Sequence, residues 1–95
     1  MYIAMNKFWI KPGKDQDFEK VWRERESYLK DVPGFKEFHL LRGDGGVYIS
    51  HSVWENEDSF SAWTESESFV KAHQQGGSKG LVQGPPEFNG YQVVL

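Results

Sequence analysis

Residues Tyr2–Ile10 are dense in aromatic and β-branched side chains and are stopped by Pro12-Gly13, which predicts a β-strand. Its even positions are Tyr2, Ala4, Asn6, Phe8 and Ile10, and its odd positions include Ile3, Met5 and Trp9. Successive side chains of a strand point to opposite faces, so this strand is largely apolar on both and is expected to be covered on both. Asn6 is the polar misfit on its face.

The remaining elements follow in order. Asp15–Lys30 reads as an amphipathic helix, with Phe18, Val21, Trp22, Arg25, Tyr28 and Leu29 at helical spacing and acidic residues in its first turn, where the dipole favours them. Val32-Pro33-Gly34 ends it. Phe35–Arg42 and Val47–Glu55 read as strands joined by the tight turn Gly43-Asp44-Gly45-Gly46, forming a hairpin. Asn56 is placed to cap a short helix reaching Trp63, and Ser66 to cap another over Glu67–Gln75. A Gly/Pro-rich loop spans Gly76–Pro86, and Phe88–Leu95 reads as a closing strand. The order β-α-β-β-α-β is that of the ferredoxin-like split βαβ fold, an α+β arrangement with helices on one face of an antiparallel sheet. The 95 residues suit a single domain over 1–95. A second copy of the chain is the expected cover for the other apolar face, giving a homodimer.

Composition removes several function classes. No run approaches the roughly 18–20 apolar residues of a membrane span, and the first residues lack the basic-then-apolar pattern of a secretory leader. The chain has no cysteine, hence no disulfide or thiolate chemistry, and a cytoplasmic location is the default expectation. A net charge of −3 argues against a general nucleic-acid binder. The chain carries 7 Phe, 4 Trp and 4 Tyr against a mean hydropathy of −0.66, so rings rather than aliphatics must build the core.

Three residues stand out chemically. His73 follows Phe69 and Val70 at i+4 and i+3, which puts it at the apolar face of its helix. A neutral imidazole there can bind a metal or a heme iron. No other cluster of ligating side chains surrounds it, so an all-protein zinc site is disfavoured; a lone His suits heme, whose porphyrin supplies four ligands. His39 and His51 lie on predicted strands, where a surface or hydrogen-bonded role is the ordinary one. Trp63 would be about 15 Å and roughly 80° away from His73 on one straight helix, but the break at Thr64-Glu65-Ser66 can turn both toward one cavity. Taken alone, Trp63 is more simply a core tryptophan, as Trp9, Trp22 and Trp54 are. Asn6 is either bonded to nearby backbone or held for a ligand, because buried amides need partners. Gly76-Gly77-Ser78-Lys79-Gly80 follows a helix and lacks phosphate-loop spacing, and Ser66 and Ser78 have no nucleophile setting.

Asn6, Val32-Pro33-Gly34-Phe35 and Val53-Trp54-Glu55 resemble the antibiotic biosynthesis monooxygenase (ABM) superfamily. The stretch from Phe60 to His73, FSAWTESESFVKAH, resembles the IsdG-type heme-degrading monooxygenases within it. The resemblance implies a dimeric α+β barrel with one heme pocket per subunit, between helices and sheet. It further implies that His73 is the axial ligand of the heme iron, that Trp63 presses on the porphyrin face and holds it out of plane, and that Asn6 donates a hydrogen bond on the distal side. Heme would be both cofactor and substrate, opened with O2 and released of its iron. Electrons would come from an external donor through an unidentified reductase, since no flavin or nicotinamide fingerprint is present. Arg23, Arg25 and Lys79 are candidates for the propionates. Two alternatives stay open: a cofactor-independent quinol or polyphenol monooxygenase of the same fold, and a heme carrier or sensor that does not turn heme over.

Overall fold

A computed structural model describes residues 1–25, 29–67, 69 and 80–95. Its elements are β1 (Tyr2–Trp9), α1 (Asp15–Arg25), β2 (Phe35–Arg42), β3 (Val47–Trp54), α2 (Glu57–Thr64) and β4 (Glu87–Gln92). The strands form one sheet in the order β2-β3-β1-β4, every neighbouring pair antiparallel. This is the expected ferredoxin-like α+β fold.

Register assigns each residue to a face. Tyr2, Ala4, Asn6 and Phe8 of β1 lie opposite Trp54, Ser52, Ser50 and Tyr48 of β3. On this face Tyr2, Ala4, Leu29, Trp54 and Trp63 form one buried cluster, and Ile10, Phe18 and Tyr48 form a second. Both helices therefore cover the same side. The second cluster is a run of tilted rings, with Phe18 at 5.2 Å from Phe8 and 5.1 Å from Tyr48 between centroids. Offset and edge-on contacts of this kind stabilise by about 0.5–1.5 kcal/mol each beyond area burial, which is how an aliphatic-poor domain obtains a core.

The opposite face carries Ile3, Met5 and Trp9 of β1 with Ile49 and Val53 of β3, and in the single chain most of it is half-exposed. Trp9 belongs here, under the Lys7 ammonium at 5.4 Å, and not in the buried clusters.

Several boundaries differ from those expected, β3 ending at Trp54 and β4 starting at Glu87 among them. Helix α1 is described over Asp15–Arg25 and does not reach Lys30, because residues 29–31 form a turn closed by Val32 N–H donating to the Leu29 carbonyl at 3.1 Å; Pro33 holds Val32 out of helical conformation. β4 stops at Gln92 because its partner Tyr2 is the first residue of β1. Ile10 leaves the ladder to form an isolated bridge with Val82. Residues 68 and 70–79 lie outside the described set, and with them most of the helix expected over Glu67–Gln75.

Gly34 and Gly90 explain two close approaches. Gly34 has φ +83°, and a Cβ there would collide with both Cβ and Oγ of Ser59. A Cβ on Gly90 would strike the Tyr2 ring, so the missing side chain on β4 is what lets that ring lie across the sheet.

Candidate functional site

A cavity of about 490 Å³ lies between the helix-bearing face of the sheet and the helices, inside the roughly 300–1,000 Å³ range of small-molecule sites. Asn6, Ser50 and Trp54 reach it from the sheet, Trp22 from α1, and Phe60 and Trp63 from α2. No charged side chain is among its described lining residues. Such a wall favours a flat, largely apolar ligand over a strongly charged one.

Trp63 is 8 % exposed and is set by its neighbours on two sides. Its ring stacks near-parallel on the fully buried Trp54 at 6.5 Å and meets Phe69 edge-on at 5.5 Å. The chain turns immediately after it. Asn56 Oδ1 accepts from Ser59 N at 2.8 Å to cap the start of α2, and Glu65 and Ser66 N–H close the end onto the Ala62 and Trp63 carbonyls. Ser66 Oγ donates to the Trp63 carbonyl at 2.7 Å and accepts from Phe69 N at 3.2 Å. It thereby ends one helical segment and caps the next, as its position in the sequence suggested.

Four polar side chains line the cavity: Asn6, Ser50, Ser52 and Thr64. Two are committed to the protein. Ser52 Oγ accepts from Trp54 Nε1 at 2.9 Å and donates to the Ala4 carbonyl, and Thr64 Oγ1 donates to the Ser61 carbonyl at 2.8 Å. Asn6 and Ser50, partners across β1 and β3, make no side-chain hydrogen bond within the described residues.

Asn6 and Trp63 thus line one cavity. His73 lies outside the described residues, as do Lys79 and the Arg25 side chain. His39 and His51 pair across β2 and β3 with ring centroids 6.3 Å apart, on the helix-free face, and neither lines the cavity. Arg23 is exposed and borders a separate polar groove with Glu19, Arg42 and Tyr48. In that groove the Tyr48 hydroxyl donates to Glu19, which also pairs with Arg42 at 3.5 Å. Burial first, then the Glu19 carboxylate, pushes the Tyr48 pKa up to about 12. Among the described residues no group of three or more His, Cys, Asp or Glu converges to hold a metal ion, and no helix is long and apolar enough to cross a membrane.

Sequence reasoning missed Ser50, Phe88 and the Trp22–Phe38 stack (5.6 Å, 16°) as parts of the cavity wall. Ser50 carried a usable signal: it is a small polar residue in phase with Tyr48 and Trp54 on the buried side of a strand.

Residues 1–75 match the antibiotic biosynthesis monooxygenase family. A curated relative, the mycobilin-producing heme oxygenase of Mycobacterium tuberculosis, is 29 % identical over 73 residues, which is 75 % of this chain and 69 % of that protein. The solved structure of the heme-degrader MhuD from the same organism, with two hemes bound in its active site, superposes with a TM-score of 0.83 at 25 % identity, covering all of this chain and 97 % of that one. SnoaB, a cofactor-independent oxygenase from Streptomyces nogalater, shares the fold with a TM-score of 0.80 at 21 % identity, covering 99 % and 93 % of the two chains. The chain belongs to the antibiotic biosynthesis monooxygenase family.

Proposed function

We propose that the protein is a heme-degrading monooxygenase, in which heme occupies the cavity between helices and sheet and is opened with O2 and electrons from an external reductase, releasing iron. The observation that carries the reading is the joint exposure of Asn6 and Trp63 to one ring-lined cavity with no charged side chain among its described lining residues. The residues present fit the group: aromatic walls match a flat macrocycle, and an uncommitted amide matches a site that must receive a polar atom. Family membership and the heme-oxygenase relative support it.

Bound heme supplies the O2-activating iron and is also the molecule that is oxidised. The protein's residues do the rest. His73 holds the iron through a neutral imidazole, whose basicity depends on the partner of its other ring nitrogen. Trp63, stacked on Trp54 and lining the cavity, would press on the macrocycle as a rigid indole, distortion being one of the recognised levers on heme chemistry. Asn6 offers a donor that does not titrate near neutral pH. The apolar wall excludes water. A second copy of the chain covers Ile3, Met5 and Ile49 on the helix-free face, making the homodimer. Residues 1–95 act as one domain, in the cytoplasm.

The test is to titrate the purified protein with hemin and then add an electron donor under air. A Soret shift saturating at one heme per chain, followed by loss of the band, supports the reading. A stable heme complex would identify a carrier instead. Absence of binding would leave the quinol monooxygenase reading, for which the cofactor-independent activity named for SnoaB on this fold is the supporting observation.

A further inference from the structure

The strands place four residues in one row across the sheet, Leu40, Ser50, Asn6 and Phe88 from β2, β3, β1 and β4 in turn, and the last three line the cavity. The two polar members stand together at the centre, bracketed by apolar ones. Ser50 is only 5 % exposed and is the one buried polar side chain among the described residues. It nevertheless makes no hydrogen bond there, whereas Ser52, two positions along the same strand, makes two. Its Oγ opens onto the cavity and is not among the sealed, unpartnered polar atoms, so it stands available to whatever the cavity holds. No described protein group claims this hydroxyl, which leaves it free for a molecule bound in the cavity.

Cross-strand neighbours on one face have Cβ atoms about 4.5–5.5 Å apart. An amide and a hydroxyl at that spacing are close enough for one atom placed between them to accept from both, as paired donors do where negative charge must be held. We propose that Ser50 is a ligand-contacting residue that joins Asn6 as the second donor to one electron-rich atom on the distal side of the bound heme. The proposal rests on the heme reading for the identity of the ligand. Its geometric half, an uncommitted hydroxyl, does not.

Both halves are testable. In the ligand-free protein, Ser50→Ala is expected to leave the melting temperature close to that of the wild type, because its hydroxyl has no protein partner to lose, while Ser52→Ala lowers it. In the heme-loaded ferric protein, fluoride serves as the probe anion. Ser50→Ala should bind hemin as the wild type does yet weaken fluoride binding by about 3- to 10-fold, the worth of one hydrogen bond, and Ser50→Thr should restore it. A fall in melting temperature matching that of Ser52→Ala would show a structural hydroxyl and overturn the assignment. Unchanged fluoride affinity in Ser50→Ala, with Asn6→Ala impaired, would leave Asn6 as sole donor and overturn the role of Ser50 alone. Failure of the wild type to bind hemin would overturn the heme reading and the distal role together.

Discussion

The indole of Trp63 lies 26° from parallel to that of Trp54, their ring centroids 6.5 Å apart, and Trp54 is completely buried. A side chain that faces a cavity is thereby fixed by one that belongs wholly to the core. Trp54 is itself in edge contact with Phe35 and Phe60. The rigidity asked of Trp63 in the proposed mechanism is thus a property of the packing behind it.

The two tryptophans should separate in their mutant effects. Trp54→Ala removes a fully buried ring and should destabilise the fold by about 3–5 kcal/mol, measured by urea unfolding. Trp63→Phe should fold and bind hemin but degrade it roughly 10-fold more slowly, about 1.4 kcal/mol in the barrier. An unchanged rate in Trp63→Phe would remove its bending role.

Asn6→Ala should impair turnover more than heme affinity. The Asn6 side chain has no hydrogen bond within the described residues to lose, so hemin dissociation constants should stay close to wild type while the rate of Soret decay falls. Parallel losses in both would instead mark Asn6 as part of the binding surface only.

Tyr48 makes the fold sensitive to alkali. Its folded pKa is about 12 against an ordinary value of 10.0, so the folded chain holds that proton more tightly than the unfolded one. The resulting stabilisation is present in full below about pH 10 and is lost as pH rises toward 12. Melting temperatures of the wild type should fall across that window more steeply than those of Tyr48→Phe. Identical slopes would assign the alkaline loss to other groups.

Gly34→Ala should destabilise by at least about 1–2 kcal/mol, since the new Cβ meets a positive φ as well as the Ser59 side chain. Denaturant midpoints would report it. Gly13→Ala, at φ +79° with nothing near the added atom, separates the backbone contribution from the collision and should cost less.

Much of this architecture was legible in the chain because alternation and stop signals are local. The two-sided apolar strand at Tyr2–Ile10, the Gly43–Gly46 turn and the Asn56 and Ser66 caps each follow from residues within a few positions. The site was legible only in part. That Asn6 shares a cavity with Trp63 depends on the crossing of β1 under α2, which no local pattern encodes. The same holds for Ser50, whose partner-free state emerges only once Ser52 is seen to take both the Trp54 indole and the Ala4 carbonyl. Trp9 stands outside the buried clusters of the single chain for a related reason: its odd position assigns it to the helix-free face, and the helices cover only the even one.

The central claim is that heme is consumed and its iron freed. The most direct measurement is the amount of chelatable iron released per heme when the reconstituted protein is given an electron donor in air, followed alongside the Soret band. The account predicts nearly one iron released for each heme lost, and no release without O2. Loss of neither the band nor the iron, from a protein that holds hemin at one equivalent per chain, would contradict it.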